Sequence, residues 1–245
     1  MKRIKYHAAV EKTLLHTFQS GIQEWYRREG RDLPWRHTTD PYHILVSEIL
    51  LHQTTVKTVE PVYRQFLERF PTLEDLAQAA LDEAKAITDP LGYKIRGQWL
   101  HDIAQVVVRE FDGVFPNTLE GLLRLPGVGR YTAGAILSFA FGYDAPILDT
   151  NVNRLLGRYF GVDYKDPQAD TKHQLWSIAE AVVPPGNARE FNNALMDMGA
   201  LVCTARKPRC LLCPVANACA TLAVPNEKNS CHVAEERVQY RRRSE

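Results

Sequence analysis

The sequence predicts an all-α protein, and three observations support this fold class. Apolar residues recur at helical spacing along most of the chain, whereas no segment alternates apolar and polar residues as a half-buried strand does. No repeat of solenoid length is present. The 245 residues are 45% hydrophobic and 24% charged, which suits a globular chain with a sizeable core in one large or two small domains.

Helical periodicity and end signals place the individual helices. Apolar faces predict helices over residues 10–25, 42–56, 76–87 and 95–111. The first is expected to end before Pro34, because proline disfavours a helical conformation in the residue that precedes it. Pro61 is expected to begin a further helix, and Thr72 with Asp75 predicts a capping box ahead of the third helix.

The overall charge of the chain neither indicates nor excludes binding to nucleic acid. A net charge of +1 means that any basic surface for nucleic acid must be local. No apolar core follows the basic N-terminus and no apolar run reaches the length of a membrane span, so a cytoplasmic protein is expected, associated with the nucleoid. Residues 224–245 are polar and basic, and a disordered, solvated end is favoured there over an auxiliary phosphate contact.

A specific motif spans residues 122–133, which read Leu-Leu-Arg-Leu-Pro-Gly-Val-Gly-Arg-Tyr-Thr-Ala. One helix is expected to end at Pro126, and Gly127 with Gly129 permits a tight turn with no side chain in the way. A second helix is expected to start directly afterwards, with free N-terminal amides that can bind a phosphate. An ordinary helix–turn–helix corner is the alternative, but the whole string between two helices is more specific than a lone Gly-x-Gly.

Four of the five cysteines are clustered with the spacing C-x6-C-x2-C-x5-C, at Cys203, Cys210, Cys213 and Cys219. Four thiolates suit a [4Fe–4S] cluster or a structural zinc ion. Zinc sites usually combine two close Cys-x-x-Cys pairs, and only the middle two cysteines are that close, so an iron–sulfur cluster is predicted. Free buried thiols are disfavoured by the clustering, and Cys231 is expected to be a thiol of the tail.

Three cations, Arg206, Lys207 and Arg209, lie between the first two cysteines. A rigid loop that carries them can sit against DNA phosphates. A solvated surface loop is an equally weighted alternative on these residues alone.

The hairpin, a carboxylate downstream of it and the cysteine spacing together resemble the helix–hairpin–helix DNA glycosylases of the endonuclease III superfamily. The chain looks most like its branch of MutY adenine glycosylases and Mig thymine mismatch glycosylases, over about residues 30–222. The resemblance implies two helical lobes: a six-helix barrel with the hairpin over residues 34–145, and an iron–sulfur cluster domain from residues 1–33 plus 146–223. It also implies a monomer that binds double-stranded DNA containing a mismatch or lesion and flips the target base. Gly127, Gly129 and Arg130 would contact that DNA.

Two acidic residues match catalytic positions of this family. Glu48, within residues 47–54, resembles the catalytic glutamate, and Asp149, within residues 147–152, resembles the catalytic aspartate, with Asn151 following in register. Considered separately, Glu48 would be interpreted as a partly exposed helical residue, and Asp149 would be interpreted as a helix N-cap. Because both residues match together, catalytic roles are favoured for them. The resemblance implies that a shielded Glu48 with a raised pKa protonates the leaving base, and that Asp149 stabilises the oxocarbenium-like sugar.

Position 131 bears on the outcome of the reaction. Bifunctional relatives place a Schiff-base lysine there, whereas this chain has Tyr131. The resemblance therefore implies a monofunctional enzyme that leaves an abasic site without nicking the strand, and a tyrosine hydroxyl that hydrogen-bonds near Asp149.

The identity of the excised base is indicated by mixed signals. Gln53 and Tyr93 match MutY positions that wedge beside the base opposite the flipped adenine. His52 and Lys94, however, depart from the Gln-Gln-Thr and Gly-Tyr-Tyr strings of MutY, and the C-terminal 8-oxoguanine domain of typical MutY is expected to be absent. Two segments are more similar to Mig: residues 34–42 and 158–161.

We therefore expect release of adenine opposite guanine or 8-oxoguanine, with release of thymine or uracil opposite guanine as the alternative. A catalytically silent DNA-binding module is a second alternative. Such a module has no need of both Glu48 and Asp149.

Overall fold

The structure of the protein, a computed structural model, describes residues 12–223. All regular secondary structure within this range is helical, which confirms the all-α prediction. The α-helices of this range are α1 (Lys12–Glu29), α2 (Pro41–Leu50), α3 (Val56–Arg69), α4 (Leu73–Gln78), α5 (Leu81–Thr88), α6 (Ile95–Glu110), α7 (Leu119–Leu123), α8 (Arg130–Phe139), α9 (Thr150–Phe160), α10 (Ala169–Val182), α11 (Ala188–Asp197) and α12 (Ala220–Ala223). The predictions for the tail and for Cys231 lie outside the described residues.

The chain divides into two compact units. The central unit comprises residues 32–145 and contains α2 to α8. The terminal unit comprises the chain on either side, described over residues 12–31 and 146–223, with α1 and α9 to α12. The first helix therefore packs with the C-terminal part of the chain. No helix of residues 12–223 is both long and apolar enough to cross a membrane.

The prediction of one helix over residues 42–56 is wrong, because α2 ends at Leu50 and α3 begins at Val56. Gln53, between them, has a φ of 55°, a left-handed conformation that no right-handed helix contains. Thr55 is extended and forms the N-cap position of α3. The apolar periodicity of this segment thus belongs to two helices in succession.

The expected helix start at Pro61 is also wrong, since Pro61 lies inside α3. Val59, Tyr63 and Phe66 are all buried, so the apolar face of α3 continues across the proline. Its packing outweighs the single hydrogen bond that the proline removes.

The third predicted helix is interrupted. The capping box is confirmed: Thr72 Oγ1 accepts a hydrogen bond from Asp75 N at 3.1 Å, and Thr72 N donates to Asp75 Oδ2 at 3.1 Å. The helix that it starts, α4, stops at Gln78 because Ala79 is extended, and α5 begins at Leu81.

The fourth predicted helix is confirmed as α6, which is the central packing element of its unit. Leu100, Ile103 and Val107 are fully buried, and α6 packs against α4 and α5. α2 packs against both α6 and α8. This arrangement brings α2 next to the second helix of the glycine hairpin.

The core of the terminal unit forms around Phe18 of α1. Its ring centroid lies 4.6 Å from that of Tyr159 and 6.3 Å from that of Phe191. Beyond the end of α1, Arg31 Nε and Nη2 donate to Asp197 Oδ1 at 2.8 and 2.6 Å, and the Asp197 side chain is fully buried. Two charge-assisted hydrogen bonds to one buried carboxylate hold Arg31 against the end of α11.

Candidate active site and metal centre

The glycine hairpin lies between α7 and α8 in the central unit. α7 ends at Leu123, three residues before the expected position, and Leu125 and Val128 are buried anchors of the turn. Gly127 has a φ of +72°, and a Cβ placed there would lie 2.6 Å from Cδ2 of Trp99. Gly127 is therefore required by the fold itself, both for its conformation and for its contact with the indole.

Gly129 is different, because the protein does not require a glycine there. Its backbone is extended, and a Cβ placed on it would meet no atom within 4 Å. It is the N-cap residue of α8, whose first amides receive no side-chain cap. Gly127, Gly129 and Arg130 are all exposed. The two glycines place no side chain in front of the first amides of α8, so a ligand can approach these amides from solvent.

Glu48 lies on α2 among aliphatic residues and is only 3% exposed. The alternative of a partly exposed surface glutamate is therefore excluded. A buried carboxyl group is costly unless hydrogen bonds or charge partners offset the loss of water. α8, the helix that packs on α2, carries Tyr131 in its first turn, half-buried.

Gln53 and Tyr93 are brought together by two residues that sequence reasoning missed. The fully buried Arg96 of α6 donates to the carbonyl oxygen of His52 and, at 3.3 Å, to that of Tyr93. Trp99, one turn later on α6, contacts the rings of both His52 and Tyr93. A signal was present, since Arg96 falls on the buried face of α6, where an unpaired cation is unfavourable.

Asp149 in the terminal unit caps α9, as its local sequence suggested. Its Oδ1 accepts from Val152 N at 2.7 Å, and its Oδ2 accepts from Asn151 Nδ2 at 3.1 Å. Burial raises the pKa of Asp149 above the ordinary value of 3.8, although these hydrogen bonds and the nearby Arg154 oppose the shift. A carboxylate that is both held in place and partly desolvated suits the stabilisation of a positive charge.

A hydrogen-bond chain connects Asp149 to the cysteine segment through Arg154, which is 6% exposed. Arg154 Nη2 donates to Asn151 Oδ1 at 2.8 Å and to Gly199 O at 2.7 Å, and Nε donates to Cys203 O at 2.8 Å. Sequence reasoning missed Arg154, although its position between apolar residues of α9 was a signal.

The four cysteines line one cavity of about 570 Å³ in the terminal unit. Arg158 Nη1 donates to Cys203 Sγ at 3.5 Å and to Thr204 O at 2.7 Å, and Nη2 donates to Ala205 O at 3.1 Å. Arg158, one turn beyond Arg154 on α9, was also missed from the sequence. It supplies positive charge next to the sulfur of Cys203 and holds the start of the loop 203–210.

The cavity fits an iron–sulfur cluster. In residues 12–223 no three His, Cys, Asp or Glu side chains converge closely enough to hold a single metal ion. All four cysteines line one cavity, and four cysteine sulfurs are the ligand set of a [4Fe–4S] cluster.

The loop between the first two cysteines exposes its cations. Thr204 Oγ1 donates to Lys207 O at 2.7 Å, and Arg209 N donates to Val202 O at 2.8 Å, so the backbone is fixed from both ends. The side chains of Arg206, Lys207 and Arg209 are exposed and form no ion pair with a residue of the described range.

Fold and site together define an all-α protein with a helix–hairpin–helix and a four-cysteine centre. Residues 46–181, more than half of the chain, match the model of the HhH-GPD superfamily of base excision DNA repair proteins, and residues 203–219 match the iron–sulfur binding domain of endonuclease III. The chain belongs to the HhH-GPD superfamily, and its cysteine cluster is the [4Fe–4S] binding segment that was predicted.

Similar proteins fall into two groups by name. The thymine/uracil-DNA glycosylase of Pyrobaculum aerophilum is 43% identical over 82% of this chain and 89% of its own length. The adenine DNA glycosylases of Buchnera aphidicola subsp. Schizaphis graminum and of Homo sapiens are 39% and 40% identical over 84% and 87% of this chain. The chain spans only 59% and 41% of the lengths of these two adenine glycosylases.

Solved structures show the same fold. A thermostable thymine-DNA glycosylase superposes with a TM-score of 0.80 and 37% identity, over 86% of this chain and 98% of that chain. A trapped endonuclease III–DNA covalent intermediate superposes with a TM-score of 0.72 and 22% identity, over 86% of this chain and 97% of that chain.

Proposed function

We propose that the protein is a monofunctional DNA glycosylase that hydrolyses the N-glycosidic bond of a mispaired base. The observation that carries this proposal is the burial of Glu48 on a helix of aliphatic residues, beside the helix that starts at the glycine hairpin. A DNA-binding module has no need of a buried carboxyl group beside the hairpin helix, whereas hydrolysis of a glycosidic bond uses one as an acid.

The hairpin and the cysteine loop are the proposed contacts to double-stranded DNA. An extended Gly129 with open space in front of it allows a phosphate to approach the first amides of α8 closely. Arg206, Lys207 and Arg209 contact further phosphates. When bound, the [4Fe–4S] cluster ties the cysteine segments together, so that Arg158 and the cluster both hold the cationic loop in one conformation.

The two carboxyl groups take different roles in hydrolysis. Glu48, in its acid form, protonates N7 of a leaving adenine, so that the base does not depart as an anion. Asp149, as the carboxylate, stabilises the positive charge that develops on the sugar when the bond to nitrogen breaks. Water then bonds to the sugar carbon and releases a proton, which restores the acid form of Glu48 through solvent. Asn151 and Arg154 act through Asp149 by fixing its position.

The first turn of α8 favours a monofunctional outcome. Its half-buried Tyr131 offers a hydroxyl where bifunctional relatives offer an amine. No Schiff base forms on a phenol, so the product is an intact strand with an abasic site.

Adenine opposite guanine or 8-oxoguanine is the proposed substrate. Gln53 on its left-handed turn and Tyr93 beside it are presented together, as two residues that read the opposite base would be. Release of thymine or uracil opposite guanine is the second candidate, favoured by the 43% identity with the thymine/uracil-DNA glycosylase. Glu48 would then hydrogen-bond to the pyrimidine instead of acting as an acid.

Incubation with duplexes that contain A·8-oxoguanine, A·G, T·G or U·G, followed by alkali, separates these candidates. Strand breaks at adenine that appear only after alkali support the proposal, and Glu48→Gln and Asp149→Asn should each abolish them. Breaks at thymine or uracil alone would transfer the proposal to the second candidate. Tight binding of a mispair without release of any base would show a binding module.

A further inference from the structure

Trp99 touches three separate segments of the central unit. Its indole ring lies against the backbone of Gly127 in the hairpin, where a Cβ would come within 2.6–2.8 Å of three ring atoms. The His52 ring packs edge-on at 5.9 Å between centroids and 84° between planes. The Tyr93 ring packs at 5.8 Å and 73°. One side chain thus contacts the proposed phosphate-binding turn, the proposed base-reading residue Tyr93, and His52, which precedes Gln53 in the chain.

Arg96 holds His52 and Tyr93, the same two residues that Trp99 contacts. Its guanidinium donates to the carbonyl oxygens of His52 and Tyr93, and Cζ lies 5.5 Å from the centroid of the Tyr93 ring. Gln53 follows directly after the residue held in this way and has the left-handed φ of 55°. The position of the Gln53 turn therefore depends on groups that themselves pack on α6.

We propose that Trp99 is a positioning residue that holds the DNA-gripping hairpin in fixed relation to Gln53 and Tyr93. The inference rests on the proposed roles of these two residues in reading the mispair. Close packing transmits displacement, because the indole packs against the His52 and Tyr93 rings in T-shaped geometry and also lies against Gly127. One side chain thereby sets the position of the hairpin, which contacts phosphate, relative to Gln53 and Tyr93, which contact the bases.

The hairpin provides two variants for comparison. Gly127→Ala places a methyl group against the indole and also strains a residue whose φ is +72°, whereas Gly129→Ala places a methyl group in open space on an extended backbone. Both change the phosphate-binding turn, but only the first acts on Trp99, so Trp99→Leu is needed to separate the indole contact from the backbone strain.

The test measures the dissociation constants of the intact cluster-containing protein for a fully paired duplex and for duplexes with A·8-oxoguanine, A·G, T·G or U·G. A 2′-fluoro target nucleotide prevents cleavage. The readout is discrimination, the ratio of the constant for the paired duplex to that for the best-bound mispair. Trp99→Leu and Gly127→Ala should each lower discrimination roughly fivefold or more, as expected for residues in contact. Gly129→Ala should weaken both duplexes by the same factor and leave discrimination unchanged.

Two further variants keep the test decisive. Trp99→Phe retains an aromatic ring and should stay within about twofold of wild-type discrimination, while Trp176→Phe, in α10 of the terminal unit, controls for loss of an indole elsewhere. Unchanged discrimination in Trp99→Leu, an equal loss in Gly129→Ala, or no discrimination in the wild type would overturn the inference. Binding is measured without base release, so failure to release any base would overturn the proposed function alone.

Discussion

Asp149 shows at the scale of a single residue how a helix N-cap can coincide with a proposed catalytic position. The N-cap hydrogen bond from Val152 and the bond from Asn151 hold its carboxylate in place. Burial opposes its ionisation at the same time. The side chain therefore stabilises the helix through hydrogen bonding while its charge is a cost to the fold, which is a common compromise at functional sites.

Asp149→Asn should abolish base release and raise stability at neutral pH. Because the folded pKa is raised, the charged carboxylate costs stability, and this cost disappears as the pH falls through the folded pKa towards 3.8. Asparagine is an equally good N-cap, so a gain of about 0.5–2 kcal/mol is expected in urea unfolding at pH 7. The gain should shrink as the pH is lowered. A loss of stability at pH 7 would contradict this account of the site.

Tyr131→Lys should add lyase activity to the enzyme. The substitution places a primary amine in the first turn of α8, at the position that the family resemblance assigns to the Schiff-base lysine of bifunctional members. Borohydride treatment during base release should trap a covalent protein–DNA adduct, which Tyr131→Phe should not form. Absence of an adduct from an active Tyr131→Lys enzyme would count against the assignment of this position.

Helix α9 shows at the scale of an element how one face can organise a site. Asp149 caps its start, and Arg154 and Arg158, one turn apart, reach the cysteine segment from its side. Gly199 permits the close approach, since a Cβ there would lie 2.9 Å from Cβ of Asn151. The helix therefore joins the carboxylate and the metal centre through hydrogen bonds instead of through apolar packing alone.

Arg154→Ala should destabilise the protein by about 3 kcal/mol, because it leaves one buried and two part-buried acceptors without their donor. Base release should fall as well, since Asn151 loses the bond that orients it towards Asp149. Urea unfolding and the visible absorbance of the cluster measure the two structural effects. Arg154→Lys is the matched control: it keeps the charge but cannot donate to all three acceptors in the same geometry, so an intermediate loss is expected. Wild-type stability of the Arg154→Ala variant would refute the structural role of the hydrogen bonds that connect Asp149 to the cysteine segment through Arg154.

At the scale of the whole molecule, each compact unit contributes its own contact elements. The central unit contains the hairpin, Glu48, and Gln53 and Tyr93, which are proposed to read the base, and the terminal unit contains Asp149 and the cysteine loop. The net charge of +1 does not reveal the cationic loop, because acidic residues elsewhere in the chain balance its positive charge. Affinity for DNA should thus depend on a few local cations.

Replacement of Arg206, Lys207 and Arg209 by alanine should weaken binding to paired and mispaired duplexes equally. The slope of log affinity against log salt concentration should become shallower by about 2–3, because each phosphate contact contributes about 0.9. The control replaces three exposed arginines that already have acidic partners: Arg28, Arg64 and Arg69. It carries the same change in net charge. A control slope that changes as much as the loop variant would mean that overall charge, not this loop, drives binding.

By itself the sequence determined the all-α class, the hairpin, the α6 helix, the capping box at Thr72 and the four-cysteine centre. Each of these depends on local spacing: periodicity, a glycine turn, or ligands within one short segment. Tertiary structure decided the break at Gln53, the continuation of α3 through Pro61, and the roles of Arg96, Trp99 and Arg154. These depend on partners far away in the chain, because a buried cation or a left-handed turn is stable only where distant carbonyls and rings compensate it.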